Sequence, residues 1–341
     1  MSTTYDVAIA GATGAVGEAL LRILEERQFP VGRLFALASE RSSGRKVNFR
    51  GDEVCVEPLY DFDFRQVQLG LFSAGASVSA DIVPRAVEAG AVVIDNTSRF
   101  RYDDDVPLVV PECNAERIAE HTRRGIIANP NCSTIQLVVA CKPIHQAAGI
   151  DRINVSTYQS VSGAGRRSME TLTAHSRTLL ANGGLQPQAG EEKPVAFNAV
   201  PKIGPLRDTG YTEEEMKMVW ETVKIFEDPD IKVNPTCVRV PVYLGHSEAV
   251  HPETREKVTA AQVRQWLHSA PGVAVVDGER PGEYPTAATE AANRDAVFVG
   301  RIREDLSHPR GLDMWVVSDN LRKGAALNSV QIAEILVNEH M

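Results

Sequence analysis

Through the first third of the chain, short apolar runs are separated by helical patterns. Residues 5–10 form one such run, and a glycine-rich turn follows. Leu20, Leu21 and Leu24 then recur at helical spacing within 16–27. Residues 34–38, 67–72, 91–95 and 125–128 read as four further strands, with a helical pattern at 80–89. Strands alternating with helices predict a parallel, doubly wound sheet. After Asn131 the pattern changes. Residues 135–147 read as a helix with Pro143 as a kink. Residues 152–159 alternate with period two, and 236–244 and 312–317 are β-branched and strand-like. A mixed sheet with helices on one face fits this half. Residues 182–194 read as a long exposed loop, and Asp103, Asp104, Asp105, Glu191 and Glu192 as solvated charge. Residues 324–339 read as an amphipathic helix, with Ala326, Val330, Ile332, Ile335 and Leu336, that returns to the first domain. The expected organisation is α/β, with 1–131 plus 322–341 as one domain and 132–321 as the other.

Length and charge bound the function. At 341 residues the chain is long for one core. Its formal net charge of −9 gives no positive field for nucleic acid or an anionic membrane. Local cations must therefore hold any anionic ligand, so single Arg and Lys positions carry information. Residues 1–6 lack the regions of a signal peptide, and no stretch approaches the roughly 18 apolar residues of a membrane span. The five cysteines, Cys55, Cys113, Cys132, Cys141 and Cys237, form no CxxC pair. That argues against a disulfide framework or a zinc site and for a reducing cytoplasm. A lone cysteine is ordinarily a small buried hydrophobe.

Gly11, Gly14 and Gly17 follow a strand and open a helix, in the spacing GxxGxxG. There, glycines let the backbone approach a pyrophosphate at the helix N-terminus. The second strand ends in Ser39-Glu40-Arg41-Ser42-Ser43. An arginine among hydroxyls suits the 2′-phosphate of NADP, while Glu40 competes as an acceptor for a 2′-hydroxyl.

Asn129-Pro130-Asn131-Cys132-Ser133-Thr134 precedes a helical run, which predicts Cys132 at a helix N-terminus. The helix dipole supplies roughly 0.3–1 kcal/mol, less than one pKa unit. A thiol near ~8.5 needs a second group, and histidine is the usual one. Of eight histidines, His246 is the candidate, because it follows a strand and a glycine.

At these residues the chain resembles the bacterial-type aspartate-semialdehyde dehydrogenases. The segments GATGAVG, LASERSSG, LFSAGASVS, VVIDNTSRFR, VPLVVPE, NPNCSTIQ, YQSVSGAG, YTEEEMKMVWET, CVRVPVYLGHSEAVH and VVSDNLRKGAA occur in the family's order. The resemblance matches Cys132 to the nucleophile and His246 to the acid–base residue. Gln159 matches the glutamine that orients substrate, and Arg239 the arginine that pairs with its α-carboxylate. Glu214 matches the carboxylate near the substrate amino group, with Glu213 and Glu215 open as alternatives. Lys217 and Arg101 match phosphate-binding positions near Asn96 and Ser98, with Arg99 as an extra cation. Asn131 is placed near the developing oxyanion. Gly11, Thr13, Gly14, Ala15, Val16, Gly17, Ser39, Arg41 and Ser42 fall at cofactor positions. So do Ser162, Gly163 and Asn320, the last close to the nicotinamide.

The resemblance implies a Rossmann-like NADP-binding domain, an α+β catalytic and dimerisation domain, and a cytoplasmic homodimer. It implies NADPH-dependent conversion of L-aspartyl 4-phosphate to L-aspartate 4-semialdehyde through a Cys132 thioester. That step serves biosynthesis of lysine, through diaminopimelate, and of threonine, methionine and isoleucine. The substrate's carboxylate, ammonium and phosphate each find a counter-charge in this inventory. A non-catalytic relative would be expected to lose such residues. An N-acetyl-glutamyl-phosphate reductase usually has its cysteine in a Gly-Cys-Tyr context, unlike Asn131-Cys132-Ser133. One geometric constraint follows. Arg239 and His246 lie about 23 Å apart if extended at ~3.3 Å per residue, so the chain must bend at Pro241 or Gly245 to bring both to one small molecule.

Overall fold

The structure is a computed structural model that describes residues 3–184 and 193–341. The chain forms two compact units, Met1–Asn131 with Ala325–Met341, and Cys132–Gly324.

In the first unit, strand β1 (Tyr5–Ala10) leads into helix α1 (Ala15–Glu26) and β2 (Val31–Ala38). A hairpin of β3 (Lys46–Phe49) and β4 (Asp52–Pro58) follows. Then come β5 (Leu69–Phe72), α2 (Ala76–Glu88), β6 (Val92–Asp95), the single turn α3 (Pro111–Asn114) and β7 (Ile126–Ala128). The seven-stranded sheet runs β3-β4-β2-β1-β5-β6-β7. Every neighbouring pair is parallel except β3 with β4. β5 and the Val7–Ala10 part of β1 are fully buried, so they read as unbroken apolar runs.

The apolar pattern predicts five strands here, and the hairpin adds two. Lys46, Asn48, Asp52, Glu53 and Cys55 face solvent, so an edge hairpin half in water leaves a weak apolar signal. Its turn sets Arg50 and Gly51 at φ 51° and 85°, a two-residue geometry that matches strand twist. The glycines after β1 have steric causes. Gly11 has φ 90°, and a Cβ there would lie 2.9 Å from the Ser73 carbonyl oxygen. A Cβ on Gly17 would lie 2.2 Å from the Gly11 carbonyl oxygen.

The second unit contains α4 (Cys132–Ala148), β8 (Ile150–Gln159), α5 (Arg166–Asn182), α6 (Glu213–Phe226) and β9 (Lys232–Arg239). β10 (His246–Thr254), α7 (Ala260–Ser269), β11 (Val273–Val275), β12 (Val297–Glu304) and β13 (Leu312–Ser318) complete it. The six-stranded sheet runs β11-β12-β13-β10-β8-β9. β8 with β9 and β11 with β12 are parallel, while β10 is antiparallel to both neighbours. α4, α6 and α7 pack against this sheet and α4 lies at their centre. α4 buries every residue from Ser133 to Cys141, with Ser133, Thr134 and Gln136 as polar exceptions in a mostly apolar run.

The single strand expected at 236–244 is corrected. β9 stops at Arg239, the chain bends through 240–245, and a new strand starts at His246. Gly245 has φ 84°, a conformation open to glycine at little cost. β-Branched residues on both sides hid this break. The loop expected at 182–194 falls mostly on 185–192, which lie outside the described residues with Met1 and Ser2. Glu191 and Glu192 are among them.

The last helix, α8 (Leu327–Glu339), follows a π turn at Arg322–Ala326 and so starts later than the expected 324. The chain re-enters the first unit at Ala325 rather than 322. The reason is that Arg322 and Gly324 backbone N–H groups still bond to Asp319 of the second unit, at 2.9 and 3.0 Å. Val330, Ala333 and Leu336 of α8 share a core with Leu20 and Leu24 of α1. Arg27 clamps Glu334 with two bonds of 2.7 Å. Among the described residues, no helix is long and apolar enough to cross a membrane.

Gly17→Ala is expected to force the glycine turn and α1 apart, at a cost of about 1–3 kcal/mol. Thermal melting should show lower stability and calorimetry weaker dinucleotide binding. Unchanged values in both would mean the turn yields freely.

Candidate active site

Cys132 is the first residue of α4, and its Sγ lies 3.2 Å from His246 Nε2. The other cysteines are different. Cys113, Cys141 and Cys237 are buried, and Cys55 is exposed. Burial pushes the Cys237 thiol up. His246 begins β10 and is fully buried. Its Nδ1 accepts the Ser160 backbone N–H at 3.0 Å. The Ser160 carbonyl in turn accepts Arg239 Nη1 at 2.6 Å. Parallel pairing of β8 with β9 sets Gln159 opposite Arg239, which delivers both to the same sheet end. The bend at Gly245 then returns His246 to that end. A Cβ on Gly163 would sit 3.3 Å from Arg239 Nη1 and 3.5 Å from His246 Nε2. This glycine therefore keeps open the space over both side chains.

Charge is organised tightly here. Burial, and then the Arg239 charge, pull the His246 pKa down to about 3. Burial also lowers the Arg239 pKa, opposed by Cys132 and Glu214. Glu248 lies on the same face of β10 and is fully buried, and burial holds its carboxyl well above the usual range.

The polar partners fall into place around this pair. Gln159 Nε2 donates to Ser133 Oγ at 2.7 Å and to Glu214 Oε1 at 3.3 Å. Lys217 Nζ bonds Glu214 Oε2 at 2.9 Å. The three adjacent glutamates separate by environment. Glu213 pairs with exposed Arg207. Glu215 closes the capping box with Thr212 and accepts the Cys237 N–H at 3.0 Å. Glu214 is the one beside Gln159. Asn320 is 2 % exposed, and its Oδ1 accepts the Gly245 N–H at 2.9 Å and the Ser160 and Ser162 hydroxyls at 2.9 and 3.1 Å. Its side chain is spent on holding the loop beside His246. A cavity of about 330 Å³ adjoins Arg239, lined also by Val161, Ser168, Leu172 and Val200.

The remaining candidates lie in the first unit. Gly14 caps α1 without a side-chain bond, which leaves the first N–H groups for an anion. Thr13, Ala15 and Val16 are half-buried around it. With the backbone clearances at Gly11 and Gly17, this turn fits a dinucleotide pyrophosphate. Ser39 and Arg41 are exposed and Ser42 is half-buried at the end of β2, so all are open to a ligand. Arg101 is 5 % exposed, and its Nη2 bonds the Asn96 carbonyl at 2.7 Å. Arg99 is more exposed, pairs with Asp103 at 3.5 Å and covers the Phe100 ring. Asn131 is buried at the last position of this unit.

Three residues carry the geometry without standing out in the sequence. Ser160 and Ser133 act through ordinary polar contacts, and only their place beside Gln159 and Cys132 hinted at a role. Gly324 lies in RKGAA. A Cβ there would meet the Cys132 Cβ at 2.8 Å.

Comparison with known proteins decides the family. A semialdehyde dehydrogenase NAD binding domain matches residues 6–121, and a semialdehyde dehydrogenase dimerisation domain matches 141–323. The aspartate-semialdehyde dehydrogenase of Legionella pneumophila is 57% identical over 345 residues, covering 100% of this chain and 98% of the relative. The chain belongs to the aspartate-semialdehyde dehydrogenase family. It is an oxidoreductase of amino-acid biosynthesis with an NAD(P)-binding first unit. The crystal structure of aspartate semialdehyde dehydrogenase II from Vibrio cholerae complexed with ASA superposes with a TM-score of 0.96 at 55% identity, covering 100% of both chains. The Candida albicans enzyme with NADP gives 0.77 at 28% identity, covering 98% of this chain and 99% of its own.

Gly324→Ala is expected to displace Cys132 and lower kcat by about 10- to 100-fold, since a shift near 1 Å is enough. Steady-state kinetics and a melting curve together test this. Normal kcat in a folded variant would remove Gly324 from the account.

Proposed function

We propose that this family member reduces L-aspartyl 4-phosphate to L-aspartate 4-semialdehyde with NADPH, through a thioester on Cys132. The 3.2 Å contact of Cys132 Sγ with His246 at the start of α4 carries this reading. A cysteine so placed is a nucleophile by position, because helix dipole, imidazole and guanidinium all favour the thiolate. Sulfur attacks the acyl carbon, a thioester forms and phosphate leaves. Bound NADPH supplies the hydride. The resulting thiohemiacetal releases the aldehyde as sulfur regains its electron pair, with His246 as the acid–base partner that the resemblance assigns. Arg239 pairs with the α-carboxylate and Gln159 orients the substrate. Glu214 faces the ammonium. Lys217 and Arg101 are the cations for phosphate, and Asn131 serves the oxyanion. Ser162 and Gly163 contact the cofactor, and Asn320 supports them from behind.

Glu214 favours a free amino acid over an N-acetylated one, because an N-acetyl substrate brings no cation to that carboxylate. Exposed Arg41 between Ser39 and Ser42 favours NADP over NAD, in keeping with the NADP in the Candida albicans structure. The second unit is the proposed dimer-forming part, in a cytoplasmic homodimer. Exposed Tyr158 packs against Trp315 on the sheet, with ring centroids 5.4 Å apart, and gives a partner copy an apolar surface. The product feeds lysine, threonine, methionine and isoleucine synthesis.

The test is the reverse reaction on aspartate semialdehyde with NADP or NAD, with and without phosphate, beside N-acetyl-glutamate semialdehyde. Activity should require phosphate, favour NADP and fail on the N-acetyl compound. Cys132→Ser should cut turnover by about 1000-fold or more, and near-normal turnover would end the covalent scheme. Arg239→Lys should raise the substrate KM by about tenfold or more, since the bidentate fork is lost. An unchanged KM would take the carboxylate away from Arg239. Arg41→Ala should narrow the NADP/NAD ratio of kcat/KM.

A further inference from the structure

The turn after β6 is built on a buried carboxylate that no step of the proposed reaction uses. Asp95 is the last residue of β6 and is fully buried. The sheet fixes its backbone. The Asn129 N–H donates to the Asp95 carbonyl at 2.8 Å, and the Asn96 N–H donates to the Phe72 carbonyl at 2.8 Å. The Asp95 side chain takes three neutral donors. The Thr97 N–H and the Ser79 hydroxyl of α2 each reach Oδ1 at 3.0 Å, and the Thr97 hydroxyl reaches Oδ2 at 2.7 Å. A buried carboxylate needs such compensation. Thr97 Oγ1 then accepts the Arg99 N–H at 3.3 Å. The rigidity of the central sheet is thereby passed outward along the turn, from 95 to 97 to 99.

Arg101 is anchored to the same turn. Its Nη2 donates to the Asn96 carbonyl at 2.7 Å. Asn96 is held in its turn at both ends of its amide. Its Nδ2 donates to the Phe72 carbonyl at 3.1 Å, and its Oδ1 accepts the Ser329 hydroxyl of α8 at 3.0 Å. Burial raises the Asp95 pKa, while the Thr97 and Ser79 bonds and the Arg101 charge oppose that rise. The Arg101 guanidinium is thus close enough to feel the carboxylate.

We infer that Asp95, Thr97 and Ser79 are positioning residues of the phosphate subsite, which fix the turn at 96–101 so that Arg101 meets phosphate with its guanidinium already oriented. This deepens the proposed function and rests on Arg101 being a phosphate ligand. A long arginine side chain loses rotamer freedom when it grips an anion. Packing it against a fixed turn moves that loss from binding to folding. The carboxylate adds a charge of opposite sign beside a guanidinium that is itself nearly buried, which makes it easier to keep the cation there.

The test follows the reverse reaction of the full-length enzyme on aspartate semialdehyde and NADP at varied phosphate. Thr97→Val nearly keeps the shape and removes the hydroxyl link without altering charge. It should raise the KM for phosphate by about fivefold or more, with kcat at saturating phosphate and the KM for aspartate semialdehyde changed less. Thr97→Ser keeps the hydroxyl and should recover most of the wild-type phosphate KM. Ser79→Ala loses one donor to Oδ1 and should move the phosphate KM the same way by a smaller factor. A phosphate KM unchanged in Thr97→Val, or raised as much by Thr97→Ser, would overturn the inference. So would a fall in kcat with the phosphate KM intact, which marks a general distortion. If Thr97→Val does not fold, Ser79→Ala decides: an unchanged phosphate KM there rejects the device. Arg101→Gln separates this from the reading beneath it. An unchanged phosphate KM in Arg101→Gln removes Arg101 as a ligand, whereas a raised one beside a normal Thr97→Val removes only the positioning role.

Discussion

One residue's backbone holds the candidate site together. The Ser160 N–H fixes the His246 ring, and the Ser160 carbonyl fixes Arg239. Neither bond depends on the serine side chain, so neither can be read from residue type. Both depend on where β8 ends. The chain leaves the sheet after Gln159, and at that point its backbone groups are no longer committed to strand neighbours. They are free to orient two catalytic candidates at once.

The rest of the second unit supports that arrangement. α4 is enclosed by the sheet, α6 and α7, so its first residue is carried on a rigid rod. Gly324 allows the chain to pass against Cys132 without displacing it. The buried polar side chains at this end are used in sequence: Ser133 holds Gln159, Gln159 reaches Glu214, and Glu214 meets Lys217. A site built this way reads its substrate with side chains whose other contacts are already fixed, which lowers the cost of ordering them on binding.

The depressed basicity of His246 follows from the same packing. Full burial disfavours the cation, and Arg239 adds a like charge nearby. Glu214 opposes this shift, but it is itself paired with Lys217 at 2.9 Å. A buried, neutral, oriented imidazole is suited to donating a hydrogen bond.

Much was legible in the sequence alone. Periodicity marked the central strands of the first unit and the helix after Asn131, because fully buried elements must be apolar. The position of Cys132 at a helix start followed from its capping neighbours. The requirement that the chain bend between Arg239 and His246 followed from distance alone. The edge hairpin and the break within 236–244 were hidden, because edge strands carry polar residues and β-branched residues continue across the bend. Only the tertiary structure decided which of Glu213, Glu214 and Glu215 lies beside Gln159, since all three share one helical turn and differ only in what surrounds them. Only it decided which nitrogen of His246 faces the sulfur, because that is set by a backbone donor 86 positions away in the chain, just past the end of β8.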